Sequence, residues 1–154
     1  MSTSIVCIHG SPRPKGNTRT VAAWAMEAAK EKGADVTEIV AANLSHKAPG
    51  CVSCYKCQQS DAFRCAVDDD IAKAVASLPD HDVIVMATPI YWFSFPAQLK
   101  IVIDRMFSLV KFDAHGTRTP LEGKVMGLLA TGGGGIEGNL DLLEAQWRIP
   151  AEYA

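Results

Sequence analysis

Residues Ser4 to His9 form a short apolar run rich in β-branched side chains, and it stops abruptly at Gly10-Ser-Pro-Arg-Pro-Lys-Gly-Asn17. A run of this kind, closed by glycine and proline, reads as a strand delivered into a loop that cannot be regular. From Thr18 the pattern becomes Ala-rich, with Val21, Trp24, Ala25, Ala28 and Ala29 at three- and four-residue spacing, and it closes on Lys30, Lys32 and Gly33. A cationic last turn followed by glycine marks the end of a helix. Asp35 to Val40 then reads as a second strand. The resulting strand, helix, strand unit is expected to make a right-handed parallel crossover, and it commits the chain to an α/β fold.

The alternation continues. Asp68-Asp69-Asp70 supply acids suited to a helix N-terminus, ahead of Ile71, Val75 and Leu78. Asp82 to Ala87 is apolar nearly throughout, as a parallel strand covered on both faces is. Thr88 to Phe95 is a loop; Pro96 then opens a helix with Leu99, Val102, Ile103, Met106, Phe107 and Val110 on one face. Lys124 to Thr131 predicts a fourth strand, Gly132 to Gly135 a flexible loop, and Asn139 to Trp147 a last helix. With 154 residues the chain has room for one core, so a single α/β domain over 1–154 is expected, with an irregular loop at 41–66.

Composition excludes several classes of function. The 15 basic and 17 acidic residues leave a net charge of −2, which gives no reason to expect nucleic-acid binding. No apolar stretch approaches the ~20 residues needed to span a bilayer, so no membrane association is expected. Met1 to Gly10 lacks the charged start and cleavage site of a secretory signal. The expectation is a soluble, cytoplasmic protein whose thiols are reduced.

In open parallel sheets ligands bind beyond the carboxyl ends of the strands, where the first, third and fourth strands each deliver an unusual loop. The first loop, Gly10 to Thr18, runs straight into a helix N-terminus, whose free amides and dipole attract an anion. Ser11, Asn17 and Thr18 add donors, and Arg13 or Lys15 adds charge, which together suit a phosphate monoester. The loop lacks the Gly-Lys-Ser/Thr ending of nucleotide triphosphatases and the Gly-x-Gly-x-x-Gly of dinucleotide sites. The loop after the third strand carries Tyr91, Trp92, Phe93 and Phe95, which suit a flat conjugated ligand. A phosphate at one end and a flat ring at the other describe FMN. Two plainer readings stand beside this one: a solvated Gly/Pro turn, and aromatics that close the core or a subunit interface. A third reading is enzymatic, because Cys7-Ile-His-Gly-Ser-Pro-Arg13 matches the Cys-x5-Arg loop of tyrosine phosphatases, although Cys7 lies inside the strand.

Four of the five cysteines form Cys51-x2-Cys54-x2-Cys57-x7-Cys65. Among reduced thiols this grouping reads as metal-binding or redox-active. The histidines His9, His46, His81 and His115 are scattered, and none is expected to be a ligand. Asp104-Arg105 reads as a helix or subunit contact.

Taken together, Gly10 to Thr18, Thr88-Pro-Ile-Tyr91 and Pro96-Ala-Gln-Leu-Lys-Ile-Val-Ile-Asp-Arg105 closely resemble the flavodoxin-like NAD(P)H-dependent FMN reductases, from Ser4 to about Gly135. The resemblance implies a flavodoxin-like three-layer sandwich with strand order 2-1-3-4. It implies that Ser11, Arg13, Gly16, Asn17 and Thr18 hold the FMN phosphate. Pro89, Ile90, Tyr91, Trp92 and Phe93 would then hold the isoalloxazine, and Thr131, Gly132 and Gly133 its far edge. The flavin carries the chemistry, so no catalytic side chain is expected.

Within that family the cysteine pattern is similar to the compact motif of iron-sulfur flavoproteins, which implies a [4Fe-4S] cluster on Cys51, Cys54, Cys57 and Cys65. A four-thiolate zinc site and free or redox-active thiols are the alternatives. With a cluster the expected function is electron relay between FMN and iron. Without one it is NAD(P)H-dependent reduction of flavins or quinones. NAD(P)H or a ferredoxin is the expected donor, and a small molecule or a protein the acceptor. Flavodoxin-like reductases continue to a fifth strand and helix, whereas this sequence ends at Trp147-Arg-Ile-Pro-Ala-Glu-Tyr-Ala154. An open sheet edge and a homo-oligomer, dimer or tetramer, are therefore expected.

Overall fold

Four parallel strands, β1 (Ser4–His9), β2 (Asp35–Val40), β3 (Val83–Pro89) and β6 (Val125–Thr131), form one sheet in the order β2-β1-β3-β6. This is a computed structural model, and it describes residues 2–114 and 116–153; the scattered His115 and the terminal Met1 and Ala154 lie outside them. Register is continuous across the sheet, with Ile8 beside Ile39 and Met86, and Met86 beside Leu128. Strand period puts Val6 and Ile8 of β1, and Ile84 and Met86 of β3, on one face. Cys7 and Ala87 face the other way, against Ala22 and Met26 of α1 (Asn17–Glu31).

The larger core lies on the first face. There α2 (Asp70–Ala76) brings Ile71 and Val75, α3 (Ala97–Arg105) brings Leu99 and Val102, and α4 (Asp141–Tyr153) brings Leu143 and Trp147. Each fully buried aliphatic side chain contributes roughly 1.5–3 kcal/mol, which is why the apolar faces of three helices settle on one side of the sheet. The layering is helix, sheet, helix, as the sequence led us to expect, and the sheet order is the expected one once a further hairpin is counted.

That hairpin is the main departure. Lys111–Asp113 (β4) and Gly116–Arg118 (β5) pair antiparallel, apart from the main sheet. Three-residue strands carry too little pattern to be read from sequence. The last helix also differs, running from Asp141 to Tyr153 instead of Asn139 to Trp147, with Pro150 inside it. Two features carry it past the proline. The Asp141 carboxylate accepts from the backbone N–H groups of Gly138, Asn139 and Leu142 and so fixes the start. Arg148 then bonds Glu144 at 3.0 Å and Glu152 at 3.2 Å, one on either side of Pro150. Among the described residues no helix is long and apolar enough to cross a membrane.

Candidate functional site

Strand order reverses between β1 and β3, because the chain leaves β1 toward β2 and leaves β3 toward β6. A cleft opens beyond the carboxyl ends of the strands there, as the topology requires. The first loop is anchored at its start by Gly10 N–H donating to the Ala87 carbonyl at 2.7 Å. It then closes on itself through Arg13 N–H to Ser11 Oγ at 3.2 Å and Gly16 N–H to the Arg13 carbonyl at 3.2 Å. Gly16 is the N-cap of α1 and provides no side-chain cap, so the first amides of the helix face the cleft without a side-chain acceptor. Across the cleft, Thr18 Oγ1 lies 2.7 Å from Thr131 Oγ1 and joins the loop after β1 to the end of β6.

Ser11, Arg13, Gly16, Asn17, Thr18, Pro89, Ile90, Tyr91, Thr131, Gly132 and Gly133 line this cleft, whose volume is about 260 Å³. One end is polar and cationic, and the other is walled by Pro89, Ile90 and Tyr91. A Cβ on Gly132 would come within 3.0 Å of Ile90 Cδ1, so glycine lets the two loops approach. Uncapped amides, an arginine and hydroxyls at one end and an apolar wall at the other fit a phosphorylated flat ring.

Trp92 and Phe93 do not line the cleft. Tyr91 and Ser94 exchange two backbone hydrogen bonds of 3.1 Å, closing a two-residue turn in which Trp92 (φ 48°) and Phe93 (φ 63°) are both left-handed. Such a turn favours Asn-Gly, and it swings the two rings outward. Trp92 is 92% exposed and Phe93 54%. The sequence shows aromatic content but not this turn. Phe95 is part of the core.

Cys7 is fully buried against α1, and its thiol is pushed up to about 12, by burial first and then by the charge of Glu38. Such a sulfur is not a nucleophile, so the phosphatase reading is overturned. Neighbouring His9 is also buried, and its Nε2 donates to Glu38 Oε2 at 2.9 Å.

The cysteine loop follows β2. Cys51, Cys54, Cys57 and Cys65 line one small cavity together with Val52, Tyr55, Phe107 and Arg105. All four thiols are free. Ser53 (φ 51°) and Tyr55 (φ 54°) are left-handed, which costs about 1–2 kcal/mol per residue and folds the loop back on itself. Two N–H groups point at sulfur: Arg105 Nε reaches Cys65 Sγ at 3.0 Å, and Gln58 Nε2 reaches Cys57 Sγ at 3.6 Å. Among the described residues no three His, Cys, Asp or Glu side chains converge closely enough to hold a single metal ion.

What secures the loop lies far away in sequence. Arg105, buried at the end of α3, donates to both Asp69 carboxylate oxygens and to the Val67 carbonyl. The Asp69 carboxyl is held below its ordinary value: burial pushes it up, but bonds from the Lys47 and Ala72 amides and from Arg105 outweigh that. Lys111 of β4 donates to the Cys57 and Ala62 carbonyls, and Gln58 donates to the Val110 carbonyl at 2.8 Å. Tyr55 meets Phe107 edge-on at 5.9 Å. Arg105 therefore joins a helix to the loop, within the broad expectation for Asp104-Arg105. Asp69 caps α2 by accepting from Ala72 N–H. The roles of Gln58 and Lys111 were not foreseen, and only the hairpin reveals them.

Comparison with known proteins agrees with this geometry. The chain matches the profile of the NADPH-dependent FMN reductase family over residues 3–146. It is 33% identical over 129 residues to the iron-sulfur flavoprotein of Methanosarcina thermophila, covering 84% of this chain and 63% of that protein. It is 35% identical over 134 residues to an iron-sulfur flavoprotein of Archaeoglobus fulgidus, covering 87% of this chain and 64% of the relative. The fold matches the FMN-dependent NADH-azoreductase of Bacillus anthracis, solved in complex with FMN, with a TM-score of 0.67 and 13% identity over 99% of this chain and 81% of that one. The chain spans from 50% to 66% of the length of the iron-sulfur flavoproteins it matches. Fold, loops and sequence agree: the chain belongs to the NADPH-dependent FMN reductase family, on the branch whose curated members are named iron-sulfur flavoproteins.

Proposed function

We propose that this chain is an NAD(P)H-dependent FMN oxidoreductase that relays electrons through a [4Fe-4S] cluster on Cys51, Cys54, Cys57 and Cys65. The observation that carries the flavin reading is the convergence of Ser11, Arg13, Thr18, Tyr91 and Thr131, from three separate loops, on one cleft at the switch point. When bound, FMN takes a hydride's two electrons and passes them on singly, and the cluster stores one electron at a time. The chain's own residues bind and orient. Arg13 and the first amides of α1 would hold the phosphate. Pro89, Ile90 and Tyr91 would cover one part of the ring, and Thr131 to Gly133 would meet its edge. Trp92 and Phe93 lie outside the lining.

Four thiols around one cavity, two of them already accepting N–H bonds, support the cluster. In a cubane each thiolate takes its own iron, so the sulfurs stand farther apart than the ~3.8 Å of a tetrahedral zinc site with Zn–S near ~2.3 Å. A cluster-free reductase of flavins or quinones is the second reading, favoured by the exposure of Cys51 and Cys54. NAD(P)H or a ferredoxin is the donor we propose. The acceptor is a small molecule or a protein, and the chain works as a homo-oligomer in the cytoplasm.

Titrating apoprotein with FMN and with riboflavin tests the flavin reading. Flavin fluorescence should report one FMN per chain, with riboflavin at least about tenfold weaker because it lacks the phosphate. Failure to take up FMN sinks the proposal.

A further inference from the structure

Among the described residues two cations are buried against the cysteine loop, Arg105 and Lys111, and of these only Arg105 has a carboxylate partner. Arg105, 1% exposed, is matched by Asp69. Lys111, 3% exposed, sits at the start of β4 with its ammonium directed at the carbonyls of Cys57 and Ala62 and lying 5.5 Å from the centroid of the Phe63 ring. Among the described residues no carboxylate forms an ion pair with Lys111. Burying an ammonium is costly, and carbonyl dipoles return only part of its hydration. If the loop needed only donors at residues 57 and 62, a neutral side chain would supply them with less desolvation. A positive charge retained there, on the backbone carbonyl of Cys57, is most useful where negative charge gathers.

We propose that Lys111 is a tuning residue: its buried charge, behind Cys57, raises the reduction potential of a cluster held by Cys51, Cys54, Cys57 and Cys65. The inference rests on the cluster reading above. Reduction adds one electron to a site that four thiolates already make anionic. The electron comes from reduced flavin and leaves to a one-electron carrier, with no bond made or broken and no proton moved. A fixed cation in a low-dielectric surrounding favours the more negative state. Arg105 also donates to a sulfur, but its charge is offset by Asp69, so the net term falls to Lys111.

The test uses anaerobically prepared, iron-loaded wild type, Lys111→Gln, Lys111→Met and Lys111→Arg, with iron content, circular dichroism and the midpoint of the reduced cluster's EPR signal as readouts. Lys111→Gln and Lys111→Met should keep the fold and shift the reduction equilibrium at least tenfold toward the oxidised form, about 59 mV lower for one electron. Lys111→Arg should restore most of the shift. The flavin midpoint should stay in place. Neutral variants that fold but lose iron while Lys111→Arg keeps it show a charge needed for cluster assembly, and that overturns tuning of the potential as its role. Neutral variants with full iron and an unmoved midpoint overturn the proposal, as does loss of iron or fold in all three. Wild type without iron removes the cluster reading itself, and that is seen before any variant is made.

Discussion

Arg105 and Asp69, 36 residues apart, form a buried fork in which the guanidinium donates to the two carboxylate oxygens at 3.3 and 3.1 Å. The pair ties the end of α3 to the start of α2 and, through Cys65 and Val67, to the end of the cysteine loop. Arg105→Met leaves the Asp69 carboxylate buried without its counter-ion, and unfolding free energy should fall by about 3–5 kcal/mol in a denaturant titration. Adding Asp69→Asn removes the orphaned charge while keeping an N-cap acceptor for Ala72, so the double variant should recover part of the loss. No recovery would mean that the fork is not an electrostatic unit.

The phosphate end of the cleft should be separable from the ring end. Arg13→Ala removes a cation that lines the cleft and lies on the exposed side of its loop, so the fold should be unaffected. FMN affinity should drop by about tenfold or more, the scale of a hydrogen bond to a charged group, while riboflavin affinity stays the same. Equal losses for both flavins would place Arg13 elsewhere than at the phosphate.

The turn that presents Trp92 and Phe93 holds strain. Two consecutive left-handed residues with side chains cost about 1–3 kcal/mol each, and both rings are exposed enough that little packing offsets this. Replacing the pair by Asn-Gly should raise the thermal midpoint. A lower midpoint would show that the rings are structural.

Acid sensitivity should begin with His9. Burial lowers its pKa from the ordinary 6.5, and the hydrogen bond to Glu38 offsets part of the fall. The folded chain keeps His9 neutral at a pH where the unfolded chain binds a proton. That contribution to stability is complete above pH ~6.5 and is lost as pH falls from there toward the depressed folded value. His9→Gln keeps a donor for Glu38 without titrating, so unfolding free energy should depend less steeply on pH between about 7 and 5.5. An unchanged slope would contradict this. The carboxylates with lowered pKa, Asp69 among them, act at lower pH.

The sheet and the loops that line the cleft were legible because their signals are local. Ser4 to His9 and Asp82 to Ala87 carry strand pattern within a few residues, and Gly10 to Thr18 carries its own punctuation. Arg105, Lys111 and Gln58 were not legible as a group, since their partners lie 36 to 54 residues away and on a hairpin of two three-residue strands. The outward direction of Trp92 and Phe93 was not legible for a different reason: composition says that rings are present, whereas backbone dihedrals decide where they point. The last helix runs beyond the expected Trp147 because Arg148 bonds Glu144 and Glu152 on both sides of Pro150.

The most direct test of the whole account is an absorption spectrum, from about 300 to 700 nm, of protein purified without oxygen, taken with iron and zinc analysis. The account expects flavin bands with a broad shoulder and about four iron per chain. Flavin bands without iron would leave a simple reductase, and a colourless protein that takes up no FMN would contradict the account at its centre.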